Sequence, residues 1–105
     1  MKVFISQPMK DLKEDEILEV RKEAVENCQK RYGEDIEIIE SYFNDIPKSN
    51  KGLFYLGKSI ALMAEADVVY FCKGWEKARG CKLEHACALA YGIDIIENYK
   101  KEKTK

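Results

Sequence analysis

The chain has 105 residues, 46% hydrophobic and 35% charged, which is enough for one globular core and too few for two. Lys and Arg number 18 against 19 Asp and Glu, for a net charge of −1, so no overall field recruits a nucleic acid polymer or an acidic membrane. No apolar run approaches the ~20 residues of a membrane span, and the apolar run after Lys2 ends at Ser6, too soon for a secretory leader.

The first element is KVFIS, a short apolar run closed by Ser6, Gln7 and Pro8, and it reads as a buried strand. From Asp11 the period changes to that of a helix. Ile17, Val20, Ala24 and Cys28 recur on one side, Asp11 and Glu14 have the spacing of a capping box, and Gly33 stands where the helix should stop. IEIIE at 36–40 is a second strand, followed by the loop SYFNDIPKSN. A second helix enters near Asn50 and is marked by Leu53, Leu56, Ile60 and Met63. DVVYFC at 67–72, β-branched and aromatic, is the strongest strand in the chain. After the loop KGWEKARG a third helix covers about 80–91, with Leu83, Ala86, Cys87, Ala90 and Tyr91 as its apolar stripe, and IDII forms a fourth strand.

Strands alternating with helices predict an α/β fold. We expect a three-layer Rossmann- or flavodoxin-like domain, with a short parallel sheet of about four strands and helices on both faces. A single domain spans 1–105 on this reading, with about 98–105 a basic solvated tail. Ligands of such sheets bind outside the carboxyl ends of the strands, which selects SQPMKD, SYFND and CKGWEKARG.

The third of these segments carries the most chemistry. Gly80 opens a helix whose unpaired N–H groups and dipole suit a phosphate or another anion, and Arg79 and Lys82 add positive charge. Glu84 follows about 6 Å along the axis at ~1.5 Å per residue, where the dipole and Arg79 should favour the ionised form that a nucleophile requires. His85, the single histidine, points about 100° away from its neighbour and is no ready partner for Glu84. Trp75 could stack a base or sugar, or cover the sheet edge. The four cysteines (Cys28, Cys72, Cys81 and Cys87) form no CxxC pair and read as reduced thiols of a cytoplasmic protein. Cys81, His85 and Cys87 lack a fourth ligand and a recognised spacing, so no metal is expected, and no cofactor motif is present either.

KVFISQPM, EADVVYFCKGW and ARGCKLEHACALAYGIDII, in this order along almost the whole chain, resemble the nucleoside 2-deoxyribosyltransferase-like superfamily, and its short bacterial and phage members most of all. The resemblance implies that Glu84 attacks the anomeric carbon of a ribosyl or deoxyribosyl group. Ser6, Gln7, Pro8, Met9, Trp75, Arg79, Gly80 and Ser59 would then bind a nucleoside or nucleotide. It also implies a homo-oligomer, dimer or higher. Two positions depart from the superfamily pattern. An aspartate that many relatives carry in the second helix is Ser59 here, and one that transferases carry shortly before the nucleophile is Ala78. Asp67 begins its strand and belongs at the opposite sheet edge, which leaves Glu40, Tyr42, Asp45 and Glu76 as nearer acids for a departing base. The sequence therefore supports an N-glycosidase or deoxyribosyltransferase, with a noncatalytic nucleotide-binding module and a ligand-free scaffold as alternatives.

Overall fold

Four strands alternate with three helices in the computed structural model, which describes residues 1–9, 11–41 and 51–97. The order is β1 (Lys2–Ser6), α1 (Glu14–Tyr32), β2 (Glu37–Ile38), α2 (Lys51–Met63), β3 (Val68–Phe71), a short 3-10 turn (Trp75–Lys77), α3 (Arg79–Ala90) and β4 (Asp94–Glu97). The strands form one sheet in the order β2-β1-β3-β4, parallel at every pairing. The architecture is the small three-layer Rossmann-like α/β fold that the alternation predicted. The loop after Ser41, the entry of α2 at Asn50 and the basic tail lie outside the described residues.

Side chains alternate across the sheet and build a core on each face. Val3, Ile5, Val68 and Tyr70 meet Ala24 and Cys28 of α1 on one face. On the other, Phe4, Val69 and Phe71 meet Met63 of α2 and Ala88 of α3. β1 leads through α1 to β2 on one side of the sheet, while β3 leads through α3 to β4 on the other. The chain thus reverses direction across the sheet between β1 and β3, the switch point at which such folds open a crevice.

Several local expectations are corrected. β2 pairs over two residues only, although the Ile39 N–H still reaches the Val3 carbonyl at 2.9 Å. Helix α1 begins at Glu14 and not near Asp11, which adopts a positive φ of 66°. The Lys13 N–H donates to Glu16 at 2.9 Å, which moves the cap two residues on. Gly33 does end the helix, its N–H donating to the Gln29 carbonyl at 2.8 Å. In α2, Leu53 is 66% exposed, and of the four expected core positions only Met63 is fully buried. In α3 the expected stripe faces outward. Leu83, Ala86, Ala90 and Tyr91 are exposed and Cys87 is half-buried, whereas Cys81, Glu84 and Ala88 turn to the sheet.

Gly74 joins β3 to the 3-10 turn at φ 91°, in the left-handed region. A Cβ there would meet Pro8 Cγ at 3.8 Å, an ordinary contact, so alanine is opposed by backbone strain and not by a clash. Gly74→Ala is expected to cost about 1–2 kcal/mol, measured as a lower urea midpoint at an unchanged slope.

Candidate functional site

Ser6 follows Phe4 by two positions and so faces the same side of the sheet, toward α2 and α3. It ends β1 beside Phe71, the last residue of β3, at the switch point. Its hydroxyl, on a residue 1% exposed, donates to Glu84 Oε1 at 2.5 Å. Glu84 is itself only 8% exposed. Two small neighbours on the buried stripe of α3, Cys81 and Ala88, let the helix come close enough to bring that carboxyl to the sheet. Ser59 of α2, also buried, joins Ser6 in favouring the charged form of the same carboxyl, and Ser6 acts in the same sense on the buried Cys81. Three separate elements therefore converge on one carboxyl group at the carboxyl edge of the sheet.

Burial dominates the electrostatics of this cluster. It raises the Glu84 pKa above the ordinary carboxylate value, while the Ser6 and Ser59 hydroxyls work in the opposite direction. The expectation that Arg79 and the helix end hold Glu84 ionised is corrected accordingly. Arg79 is exposed and not among the groups that act on Glu84. Its guanidinium lies by Gly52 at the start of α2, where a Cβ would meet Nη2 at 3.4 Å. Burial also pushes Cys81 up to about 11 and Cys72 up to about 12. Both thiols are held in the neutral form, the weaker nucleophile, at physiological pH.

The remaining predicted residues divide between the site and its surroundings. Gln7 turns to the α1 side, where its Nε2 donates to the Ile17 carbonyl at 3.0 Å. Its Oε1 is buried with no hydrogen-bond partner among the described residues. Pro8 lies against Gly74, linking the turns after β1 and β3. Met9 is half-buried, and its carbonyl accepts from the Leu12 N–H at 3.2 Å. A Cβ on Gly80 would meet nothing within 4 Å among the described residues, so these leave space beside the start of α3. Trp75 stacks one ring face on His85, with centroids 4.0 Å apart and planes 10° apart, and packs beside Phe71. That face is closed to a base. His85 in turn lies 3.4 Å from Glu97 and takes no part in the Glu84 cluster.

Asp67 is at the opposite edge, as its place at the start of β3 required, accepting from the Lys2 N–H at 2.7 Å. Glu40 and Glu76 are exposed, and Tyr42 and Asp45 lie outside the described residues. Among the described residues no three of His, Cys, Asp and Glu converge as a metal site, and no helix is long and apolar enough to cross a membrane.

Two residues of the edge are not placed beside Glu84 by the sequence, in which Cys81 reads only as a reduced thiol. Cys81 could have been found from its place three residues before Glu84, on the same helical face. Arg21 gave no signal, because it occupies a core position of α1. It is 9% exposed, donates to the Ile39 carbonyl at 3.1 Å and to Ser41 Oγ at 3.2 Å, and burial lowers its pKa. Ser41 passes the link on to the Ile5 carbonyl at 3.3 Å, so α1 is tied to the carboxyl ends of β1 and β2.

Ser6→Ala is expected to raise the Glu84 pKa further and to weaken any chemistry that needs the carboxylate. Loss of a hydrogen bond to a charged group costs about 1.5–3 kcal/mol, or on the order of 10- to 100-fold in rate. An acid limb displaced to higher pH in the rate profile is the diagnostic change. A fall in rate with an unmoved limb would argue against this role.

A family model described as a domain of unknown function (DUF4406) matches residues 1–97. No curated protein and no solved structure matches the chain.

Proposed function

The chain belongs to the DUF4406 domain family, and from the site it carries we propose a nucleoside or nucleotide N-glycosidase or deoxyribosyltransferase with Glu84 as nucleophile. The observation that carries this reading is the buried Glu84 carboxyl, held by the Ser6 hydroxyl at 2.5 Å where β1 and β3 end. The sequence likeness to the nucleoside 2-deoxyribosyltransferase-like superfamily lends support, since its nucleophile falls on Glu84.

The chemistry follows from the carboxyl. As the N-glycosidic bond lengthens, positive charge grows on the anomeric carbon, and a carboxylate in a site of low dielectric stabilises it strongly. One Glu84 oxygen then bonds that carbon, while the electron pair of the C–N bond leaves with the base, which takes a proton from solvent. Water or a second base displaces Glu84 from the opposite side, so configuration at the carbon is retained overall, as in retaining glycosidases. Ser6 donates to the carboxylate before attack and holds its orientation, and buried Ser59 favours its charged form. The space that the described residues leave beside the start of α3, with Arg79 and Lys82 close by in sequence, suits a 5′-phosphate. The reading includes a cytoplasmic protein, with its thiols free, acting as a homo-oligomer.

A second reading, a noncatalytic nucleotide-binding module, is favoured by one observation. Burial opposes the charged form of Glu84, and at Ser59 and Ala78, where relatives carry aspartates, this chain has no carboxylate. The deciding experiment is chromatography of free base from ribo- and deoxyribonucleosides and their 5′-monophosphates, with and without an acceptor base. Base release establishes glycosyl transfer and identifies the substrate. Silence across the panel, with thermal stabilisation by the same compounds, supports the binding module.

A further inference from the structure

The face of the sheet opposite Glu84 carries a second polar chain, and it ends at the peptide beside Ser6. Helix α1 turns Ile17 and Arg21, one turn apart, toward the carboxyl ends of β1 and β2. Ser6 faces α2 and α3, so its neighbours Ile5 and Gln7 face α1. Both are tied there. Gln7 Nε2 donates to the Ile17 carbonyl at 3.0 Å, and the Ile5 carbonyl accepts from Ser41 Oγ at 3.3 Å. Ser41 Oγ in turn accepts from Arg21 Nη1 at 3.2 Å, while Nη2 of the same guanidinium donates to the Ile39 carbonyl at 3.1 Å. One hydroxyl can do both, since it accepts from the cation and gives its own proton to the carbonyl.

This chain replaces a rung of the sheet. Along the β2 edge of β1 the Met1 carbonyl accepts from the Glu37 N–H at 2.8 Å, and the Val3 carbonyl from the Ile39 N–H at 2.9 Å. The Ile5 carbonyl is the next acceptor on that edge, where β2 has ended, and the Ser41 hydroxyl takes it. On the β3 edge the Ser6 carbonyl accepts from the Cys72 N–H at 2.9 Å. The peptide that joins Ile5 to Ser6 is therefore steadied on one side by the sheet and on the other by Arg21 through Ser41. Its plane sets where the Ser6 hydroxyl stands, and the 2.5 Å contact with Glu84 tolerates little displacement.

We infer that Arg21 is a positioning residue for Glu84: acting through Ser41 and the Ile5 carbonyl, it fixes Ser6 from the far face of the sheet and so holds the Ser6 hydroxyl on the carboxyl. Burial and chemistry agree with this role. Arg21 is 9% exposed and Ser41 4%, and burying a cation against neutral oxygens is costly. A guanidinium offers in return two donors on one rigid plane, which here fasten the ends of two strands at once. The groups that act on Glu84 are Ser6 from β1 and Ser59 from α2, and its ionisable neighbour is Cys81 on its own helix. Around Arg21 they are Glu40 and Cys72. This role rests on Glu84 as the working carboxyl of the site and requires no glycosyl transfer.

Carbon-13 NMR of the glutamate carboxyl groups of the full chain follows Glu84 protonation directly, its resonance being the one lost in Glu84→Gln. Ser6→Ala is expected to raise the midpoint. Arg21→Met, and Ser41→Ala, which leaves the Arg21 charge in place, should each raise it by at least half as much. Neither should raise it further in a Ser6→Ala background, because the effect passes through that hydroxyl. Cys28→Ala disturbs the same face of α1 about 10 Å further along at ~1.5 Å per residue, and it should leave the midpoint unmoved. Circular dichroism checks that each variant is folded, and where Arg21→Met fails that check, Ser41→Ala decides. An unmoved midpoint in folded Ser41→Ala, a shift that persists without the Ser6 hydroxyl, or an equal shift in Cys28→Ala each overturns the role. Base release plays no part in the readout, so failure of the proposed reaction leaves these outcomes as they are.

Discussion

Glu84→Gln is expected to reduce base release by ~10³-fold or more, on the order of 4 kcal/mol of transition-state stabilisation, while raising the melting temperature of the protein. Both effects come from one physical fact: the carboxyl is 8% exposed, and two serine hydroxyls are the groups that favour its charge. Glutamine keeps the shape and an acceptor oxygen for the Ser6 hydroxyl, but it cannot form a bond to the anomeric carbon or neutralise the charge that grows there. Removing a buried charge while keeping its hydrogen bond should stabilise the fold by roughly 1 kcal/mol at neutral pH.

The pH dependence separates the two effects. The folded-state pKa of Glu84 is raised above an unfolded value of about 4.3. The stability it contributes is therefore fully present below about pH 4 and is lost as pH rises through the folded value. Wild type and Glu84→Gln should unfold alike in acid and diverge as pH increases, with the glutamine variant the more stable. Activity runs the other way. On the proposed mechanism it depends on the carboxylate and so should fall on the acid side of a pH higher than an ordinary glutamate would set. Thermal melts from pH 3.5 to 8 and a base-release profile over the same range check both directions. A variant less stable than wild type at neutral pH would contradict the account of the buried charge.

Phe71→Ala is expected to cost about 3–5 kcal/mol, a large share of the ~5–15 kcal/mol that holds a domain together. Phe71 is fully buried in the centre of the sheet, among Phe4, Met63, Val69 and Ala88. Its ring also meets His85 edge-on at 4.8 Å and Trp75 at 5.3 Å, and it pairs in register with Ser6. Alanine would open a cavity between the core and the site, and the neighbours of Ser6 and α3 would shift into it. Trp75, the only tryptophan, reports the event directly, since its ring lies on that of His85. Urea unfolding followed by its fluorescence gives the free-energy change. Phe71→Leu, which keeps most of the volume, should lose well under half as much. A loss below about 1 kcal/mol for alanine would place the true core elsewhere.

The order of elements was legible in the sequence because each carried its own period. Ile17, Ala24 and Cys28 lie on the buried face of α1 as their spacing predicts, and the run through Val68–Phe71 is buried at every position, as a central parallel strand must be. Alternation of the two periods then required a parallel sheet, and the rule for its carboxyl edge pointed to Ser6, Gly80 and Glu84 before any contact was known.

Two features were decided by tertiary structure alone. The first is which face of α3 is the inner one. By residue type, Leu83, Ala86, Cys87, Ala90 and Tyr91 make the better apolar stripe, yet of these only Cys87 packs against the core, and the buried stripe is Cys81, Glu84 and Ala88. A helix lying tightly on a sheet needs small side chains more than greasy ones, and α2 alongside leaves the larger residues an outward position. The second is the state of Glu84. Sequence neighbours, Arg79 and the helix dipole, point toward an ionised carboxylate. The groups that govern it are burial, Ser6 from β1 and Ser59 from α2, remote in sequence and brought together only by the fold. Periodicity is local and survives in the sequence. Desolvation depends on everything that surrounds a group, and no spacing along the chain records it.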